Sequence, residues 1–306
     1  MNERRLKTAA RSRLRPQAGP ALLLIANRNA SGLARPEKLD EAVQMLRSRG
    51  AAVEVRLTGG LGELGEAIAA AESRVVLLGG DGSVHAVANL PGPLPELALL
   101  PAGRANNIAR SLGIPLDMEA AAALAVEGAS RPLDLIEART AERLYRVVEG
   151  VSVGFHARAR VHYRAENSAA LMQGLAVGVS TLRKFRPVDV VVEGNGGREV
   201  MTVGQLFAAN LPLYGFGLRV APDADPADGQ LDLVTIEART RRSLLTMIPR
   251  VYRGTHVGLP GVRASRMSQV RIDPRGSSPV IADSTDLGSG PVDLTVLPGE
   301  LQVVTP

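Results

Sequence analysis

The run Gly79-Gly80-Asp81-Gly82-Ser83 holds the residues best suited to chemistry in this chain. It follows the apolar segment Val75–Leu78, so a strand ends in a cluster of glycines. Glycine lets backbone N–H groups come close to a polyphosphate, and a helix starting just beyond adds the favourable end of its dipole. Phosphate would repel Asp81 unless a divalent cation or an acceptor hydroxyl lay between them, and that combination belongs to phosphoryl transfer. No Gly-Lys-Ser/Thr follows, so the turn is not a Walker loop, and the third glycine of a dinucleotide fingerprint is missing. Taken alone, the same five residues make an equally good tight turn with a surface aspartate.

Other groups with chemical potential are scattered along the chain. Asp223, Asp225, Asp228 and Asp232 lie close together. A solvated Asp-Gly turn has this composition. The spacing fails the EF-hand pattern, because Val234 stands where the terminal glutamate would fall. His85 and His156 are each either an acid–base group or a packed side chain. His156 and His162 do not have the i, i+4 spacing of a metal pair, and no Ser/His/Asp triad signature is present.

These groups need elements to hold them. Ala21–Ala26 is a continuous apolar run, as expected of a buried parallel strand. Pro36 suits a first helical turn, Leu39, Ala42, Val43 and Leu46 recur on one helical face, and Gly50 closes the helix. Val53–Leu57 reads as a second strand, and Leu61, Leu64 and Ile68 mark a second helix. Val75–Leu78 is a third strand, and Leu97–Leu100 a fourth that ends in Pro101-Ala102-Gly103. This rhythm predicts a doubly wound parallel sheet, whose ligands sit beyond the carboxyl ends of the strands, where both glycine turns fall.

The pattern changes after about residue 130. Arg131–Glu137 and Tyr145–Val153 read as strands, and residues 157–185 as one long helical stretch with Leu171, Leu175, Val179 and Leu182 on a stripe. That stripe, with Met172, is either plain core or the wall of a cleft. Val188–Val192 and Val200–Ala208 flank Asn195-Gly196-Gly197, a hairpin signal. A helix is expected at Arg241–Arg253. Val292, Leu294 and Val296 alternate with Asp293 and Thr295, and Leu301–Val304 follows. The expected division is a basic tail over 1–19, an α/β domain over 20–130, a mostly antiparallel β-rich domain over 131–290, and a segment over 291–306 returning to the first domain.

Composition narrows the function classes. Of 306 residues, 45% are hydrophobic and 22% charged, a globular balance large enough for two cores. Aromatics are only 3% and Trp is absent, which argues against stacking platforms for single-stranded nucleic acid. Cysteine is absent, so disulfides, thiolate nucleophiles and Cys-based zinc sites are excluded, in keeping with a cytoplasmic protein. No apolar run approaches the ~18–20 residues that span a bilayer, and no signal-peptide stretch opens the chain, so membrane contact is expected from the surface. The net charge is +5, and Arg4, Arg5, Lys7, Arg11, Arg13 and Arg15 crowd the start. Such an arm is either a solvated tail or a polybasic contact for anionic lipid; no nucleic-acid recognition motif accompanies it.

Several further motifs appear in order around the glycine turn. Asn27-Arg28-Asn29-Ala30-Ser31-Gly32 follows the first strand and Pro101-Ala102-Gly103-Arg104-Ala105-Asn106-Asn107 the fourth. Asn210, Gly215 and Gly217 precede Ala221-Pro222-Asp223-Ala224, then Asp228-Gly229-Gln230-Leu231-Asp232, and Leu297-Pro298-Gly299-Glu300-Leu301 closes the set. Together, from about residue 21 to 306, they resemble the diacylglycerol kinase catalytic family, which includes sphingosine-, ceramide- and phosphatidylglycerol-kinase-like enzymes. NAD kinases and 6-phosphofructokinases share the glycine–Asp turn but lack the stretch seen at Ala221–Asp232.

The resemblance implies an NAD kinase/diacylglycerol kinase-like α/β nucleotide domain followed by a β-rich, mostly antiparallel acceptor domain. It implies ATP and magnesium, and transfer of the γ-phosphate to a lipid hydroxyl, with diacylglycerol-like acceptors met at the membrane surface in phospholipid metabolism. A homodimer is compatible with it. The nucleotide site would be lined by Asn27, Ser31, Gly32, Thr58, Gly79, Gly80, Asp81, Gly82, Ser83, Gly103, Arg104 and Asn106, and magnesium held at Asp225, Asp228 and Gln230. The chain departs from the family at the general base, a Glu in an Asp-Gly-Glu triplet, where it reads Asp283-Ser284-Thr285. A Thr hydroxyl does not accept a proton near neutral pH, so Asp283 or Asp286 is expected in that role beside Asp81. His85, Arg104 and His156 replace an Asn, a Thr and an Asp of the family pattern. The alternatives are a catalytically degenerate nucleotide- or lipid-binding relative, and a kinase for a soluble acceptor such as NAD.

Overall fold

A computed structural model describes residues 20–28, 37–162, 170–194 and 196–306, with the side chains of 170–175 left aside. Ser31, Gly32, the basic arm, the tip of the 195–197 turn and the Leu171, Met172 and Leu175 side chains lie outside the described residues. The first half runs β1 (Ala21–Asn27), α1 (Glu37–Ser48), β2 (Ala52–Thr58), α2 (Leu61–Ala69), β3 (Arg74–Gly79), α3 (Asp81–Ala88), β4 (Glu96–Pro101), α4 (Asn107–Ser111) and α5 (Met118–Glu127). It continues through β5 (Ala129–Arg139), β6 (Leu144–Val147), β7 (Gly150–Gly154), α6 (Phe155–His162), α7 (Ala170–Arg183), β8 (Val188–Gly194), β9 (Gly197–Val203) and β10 (Gln205–Ala209). The last part holds β11 (Leu213–Tyr214), β12 (Leu218–Arg219), β13 (Leu231–Ile236), α8 (Arg241–Arg253), β14 (Val262–Met267), β15 (Gln269–Pro274), β16 (Val280–Ala282), β17 (Thr285–Asp286) and β18 (Val292–Thr305).

The apolar runs make the parallel sheet in the order β2-β1-β3-β4. Alternate residues face opposite ways, as strand geometry requires. Leu23, Ile25, Val75, Leu77, Leu97 and Leu99 pack with α2, α3 and α4 on one side. Leu22, Leu24, Val76, Leu78, Ala98 and Leu100 pack with α1 and α5 on the other. The helices α4 and α5 lie in a stretch where the sequence pattern gave no helix. Asp117 caps α5 by accepting the Ala120 N–H at 2.9 Å, the usual N-terminal device.

Beyond β4 the sheet does not stop. β18 pairs parallel to β4 and antiparallel to β5 and β15, and β8 and β9 follow, giving ten strands in all. A second, six-stranded sheet, β14-β13-β10-β7-β16-β17, faces the far half of the first across a core of Ile136, Val151, Val190, Leu206, Leu233, Ile272 and Leu294. Its outer face is covered by α8, through Leu244 and Val251.

Four sequence expectations need correction. The stretch 157–185 is not one straight helix: α6 and α7 pack together, so that the Phe155 and Phe185 rings lie 6.4 Å apart. Val200–Ala208 is split at Gly204, where a side chain would sit 2.6 Å from the Ala238 carbonyl oxygen, so β9 joins one sheet and β10 the other. Tyr145–Val153 breaks at Val148 and Glu149, whose N–H groups turn to the Asp283 carboxylate. The two final segments are instead one strand, β18, irregular between Leu297 and Leu301, where Gly299 takes a positive φ of 62°.

Asp134 anchors that irregularity. Its Oδ1 accepts the Gly299 N–H and its Oδ2 the Gly229 N–H, both at 2.7 Å, so one buried carboxylate ties β5, the Asp-Gly turn and β18 together. Asp134→Ala strands two amides that now meet a charge, and a loss of about 3 kcal/mol is expected in urea unfolding. A loss under about 1 kcal/mol would mean that water or a shifted turn satisfies both amides.

Candidate active site

The two glycine turns meet backbone to backbone. A Cβ on Gly80 would lie 2.8 Å from the Gly103 Cα, and one on Gly103 2.6 Å from the Gly80 Cα. A Cβ on Gly79 would strike Ser83 Oγ at 2.3 Å. Steric need against backbone therefore fixes Gly80 and Gly103, while a side chain at Gly79 would require Ser83 to move. Gly82 differs: nothing lies within 4 Å of where its Cβ would be. Asn106 is left-handed at φ 48°, and its amide accepts the Gly103 N–H and donates to the Gly103 carbonyl, each at 3.0 Å. Asn106 thus shapes the turn from within. Asp81 opens α3, and its Oδ1 accepts the Ile108 N–H at 3.0 Å, tying α3 to the start of α4.

Asn27, Thr58 and Ser83 line one cleft of about 140 Å³ beside Leu61 and Leu64. Gly79, Gly80, Asp81 and Asn106 border the neighbouring hollow, and Arg104 stands exposed on its turn. Most of the expected nucleotide residues therefore gather at the carboxyl ends of β1, β2, β3 and β4.

Against this region lies a buried polar cluster. His85 Nε2, on α3, is 3.1 Å from Glu149 Oε1 and 3.7 Å from Asp283 Oδ2. Asn107 Nδ2 donates to Glu149 Oε2 at 3.0 Å and also to the Gly215 carbonyl. Asp283 is left-handed at φ 50°, and its carboxylate accepts the N–H groups of Val148 at 3.0 Å, Glu149 at 2.8 Å and Gly150 at 3.3 Å. Tyr214 Oη donates to the Asp283 carbonyl at 2.9 Å. His85 Nδ1 is buried with no hydrogen-bond partner among the described residues.

The charges explain the titration. Burial opposes a charged imidazole, yet Asp283, Glu149 and Asp81 outweigh it and raise His85 to about 9. Burial lifts the Glu149 carboxyl to about 7, with His85 pulling the other way. Burial, with Asp283 nearby, pushes Tyr145 up to about 12. His156 is different: burial, then Arg160, lowers it to about 4, so it is a neutral ring packed 5.0 Å from Tyr214 and 6.0 Å from Phe207.

The expected site residues therefore separate. Asp81 and Asp283 come together around His85, whereas Asp286 is exposed, accepts the Gly288 N–H, and borders a separate groove of about 600 Å³. That groove carries Arg158, His162, Lys184 and Arg186. At the acidic turn Asp225 Oδ1 accepts the Ala227 N–H and Asp228 Oδ1 the Gln230 N–H. Arg266 offsets part of its charge, 3.2 Å from Asp232 and 3.8 Å from Asp228. Among the described residues no group of three or more His, Cys, Asp or Glu is placed to hold a metal. The site that the resemblance implies, one carboxylate with neighbouring backbone carbonyls, is not of that kind.

Sequence reading missed Glu149, Asn107 and Tyr145. A signal for Glu149 did exist: it is the one charged residue in the otherwise apolar or glycine run Val147-Val148-Glu149-Gly150-Val151. A charge there is almost never buried unless paired.

Known proteins align over this whole frame. The diacylglycerol kinase catalytic domain matches residues 21–138, and the YegS C-terminal NAD kinase beta sandwich-like domain matches residues 149–305. A diacylglycerol kinase of Mycobacterium tuberculosis (strain ATCC 25618 / H37Rv) is 29% identical over 278 residues, covering 87% of this chain and 88% of that protein. A probable lipid kinase, YegS-like, of Xanthomonas campestris pv. campestris (strain 8004) is 30% identical over 240 residues, covering 74% and 77%. Among solved structures, one from Bacillus anthracis str. Sterne superposes with a TM-score of 0.75 at 20% identity, over 94% of this chain and 98% of that one. Another, described as a diacylglycerol kinase of the same strain, gives 0.68 at 16% identity, over 94% and 97%; both show the fold alone.

Proposed function

Because the chain belongs to the diacylglycerol kinase catalytic family of lipid kinases, we propose that it transfers the γ-phosphate of magnesium-ATP to the hydroxyl of a diacylglycerol-like lipid. The observation that carries the reading is the meeting of the Gly79–Gly82 and Gly103–Asn106 turns beside the buried His85, Glu149 and Asp283 cluster. Backbone N–H groups at the start of α3 face the phosphates, and Asn27, Thr58 and Ser83 border the nucleoside side. Magnesium arrives with the nucleotide and offsets the phosphate charge. The cationic groove of Arg158, His162, Lys184 and Arg186 lies on the acceptor side and suits an anionic lipid surface. Among the described residues no helix is long and apolar enough to cross a membrane, so the acceptor is met at the bilayer surface.

Gly82 separates a phosphate cradle from a merely tight turn. The open space around it means that Gly82→Ala fits the fold, and in an exposed helical first turn it adds up to about 1 kcal/mol of stability. A methyl where phosphate oxygens approach the backbone nonetheless blocks binding. The expected result is a KM for ATP raised about tenfold or more, with an unchanged or higher melting temperature, in radiolabelled transfer to mixed lipid micelles. An unchanged KM would return the turn to a purely structural role.

Thr285 favours a second reading. No carboxylate stands at the family's base position, as in a relative that binds nucleotide without transferring phosphate. Magnesium-ATP binding without transfer to diacylglycerol, phosphatidylglycerol or sphingoid acceptors is its expected result.

A further inference from the structure

We propose that His85 and Glu149 together replace the glutamate that the family carries where this chain has Thr285, His85 Nδ1 taking the proton of the acceptor hydroxyl and Glu149 holding the ring. The inference rests on the lipid-kinase reading above and names its base.

The carboxylates sort by what their oxygens already do. Asp283 is committed to three backbone amides and has a fully buried side chain. Asp286 lies on the exterior, on the cationic groove, and accepts the Gly288 N–H. Asp81 is tied to the Ile108 amide. Glu149 is the carboxylate aimed at an imidazole. Its Oε1 faces His85 Nε2 at 3.1 Å, and Asn107 fixes Oε2 at 3.0 Å, so the carboxylate cannot turn away. With the Nε2–H directed at a carboxylate, a neutral ring must carry its lone pair on Nδ1. That atom is buried and lacks a partner among the described residues, and buried polar atoms without partners call for one. His85 also sits about one helical turn beyond Asp81, on the helix that starts at the phosphate turn.

Around the ring stand Asp81 from α3, Glu149 from the β6–β7 turn and Asp283 from the β16–β17 turn, with the Tyr145 hydroxyl from β6 close to both latter acids. These charges make the imidazole an unusually strong base for a buried site. In the step itself the acceptor O–H bond breaks and its proton passes to Nδ1 while the acceptor oxygen bonds to the γ-phosphorus. The bond from that phosphorus to the bridging oxygen breaks, and its electron pair leaves with ADP. The imidazolium then gives its proton to solvent as product departs. His85 is thus the catalytic group and Glu149 a positioning residue, a division known from other oriented-imidazole bases.

The test is radiolabelled transfer by the full chain to diacylglycerol in mixed micelles, for His85→Asn, Glu149→Gln and the double change His85→Asn with Thr285→Glu. His85→Asn and Glu149→Gln are each expected to lower kcat about 100-fold or more while the KM for ATP stays within about threefold. Thr285→Glu, which rebuilds the family's own base, is expected to recover at least about tenfold of the His85→Asn loss. Wild-type kcat/KM should rise with pH to a midpoint near 9. Glu149→Gln should move that midpoint down, because a neighbouring carboxylate favours the charged ring. A His85→Asn enzyme within about threefold of wild type, or a midpoint unmoved in Glu149→Gln, overturns the assignment. Wild-type protein that binds magnesium-ATP and phosphorylates no lipid overturns the kinase reading itself, and this proposal with it.

Discussion

Asp283→Ala is expected to cost about 4–5 kcal/mol of unfolding free energy, the largest loss from any single change at the cluster. Three buried N–H groups, from Val148, Glu149 and Gly150, converge on its carboxylate, and all three are stranded when it goes. Each stranded buried donor costs about 1–3 kcal/mol. The left-handed backbone at φ 50° adds strain that Asp and Asn tolerate better than Ala. Asp283→Asn should therefore cost less, about 2 kcal/mol, since one oxygen remains and the left-handed turn is kept. Urea unfolding followed by circular dichroism resolves the two. Equal losses would mean that the negative charge matters more than the number of acceptors, and a loss below about 1 kcal/mol for Ala would mean that water reaches the three amides.

Asp81 carries the second large effect, and there the comparison isolates charge from structure. Asp81→Asn keeps an oxygen for the Ile108 N–H, so stability should change by under about 0.5 kcal/mol, whereas Asp81→Ala also loses that bond and about 1 kcal/mol more. Both should lower phosphate transfer about 100-fold or more, because each removes the charge that stands at the glycine turn near His85 and Glu149. Transfer retained in Asp81→Asn and lost in Asp81→Ala would assign Asp81 to holding α4 rather than to the reaction.

What the sequence made legible was local. Three apolar runs and the alternating Val53–Leu57 became β1 to β4, and the Gly79–Ser83 turn lies at a strand end because chain direction alone decides that. Gly80 and Gly103 were visible as glycines, but their mutual need appears only when two strands lie side by side in the sheet. The cluster was less legible because its members come from distant segments. His85 meets Glu149 across 64 residues, and Asp283 meets Val148 across 135. No periodicity encodes such pairs. Asp283 shows the difficulty well. Its position in a family triplet suggested chemistry, while its left-handed turn and three amide bonds describe a carboxylate that shapes the backbone around Glu149. Gly204 likewise looked like an ordinary residue inside one strand, and the two sheets on either side of it are the product of packing against Ala238.

The place of β18 beside β4 has a consequence for biosynthesis. The strands β2-β1-β3-β4 leave the ribosome early, but the neighbour that closes the β4 edge is made about 200 residues later, since Gln302 pairs with Glu96. At roughly 5–20 residues per second, that edge waits on the order of ten seconds or more with its N–H and C=O groups unpaired. Such an edge recruits strands from other chains. The nascent β2-β1-β3-β4 sheet is therefore the aggregation-prone species, and the helper that matters most for yield is one that shields β4 until the closing strand arrives.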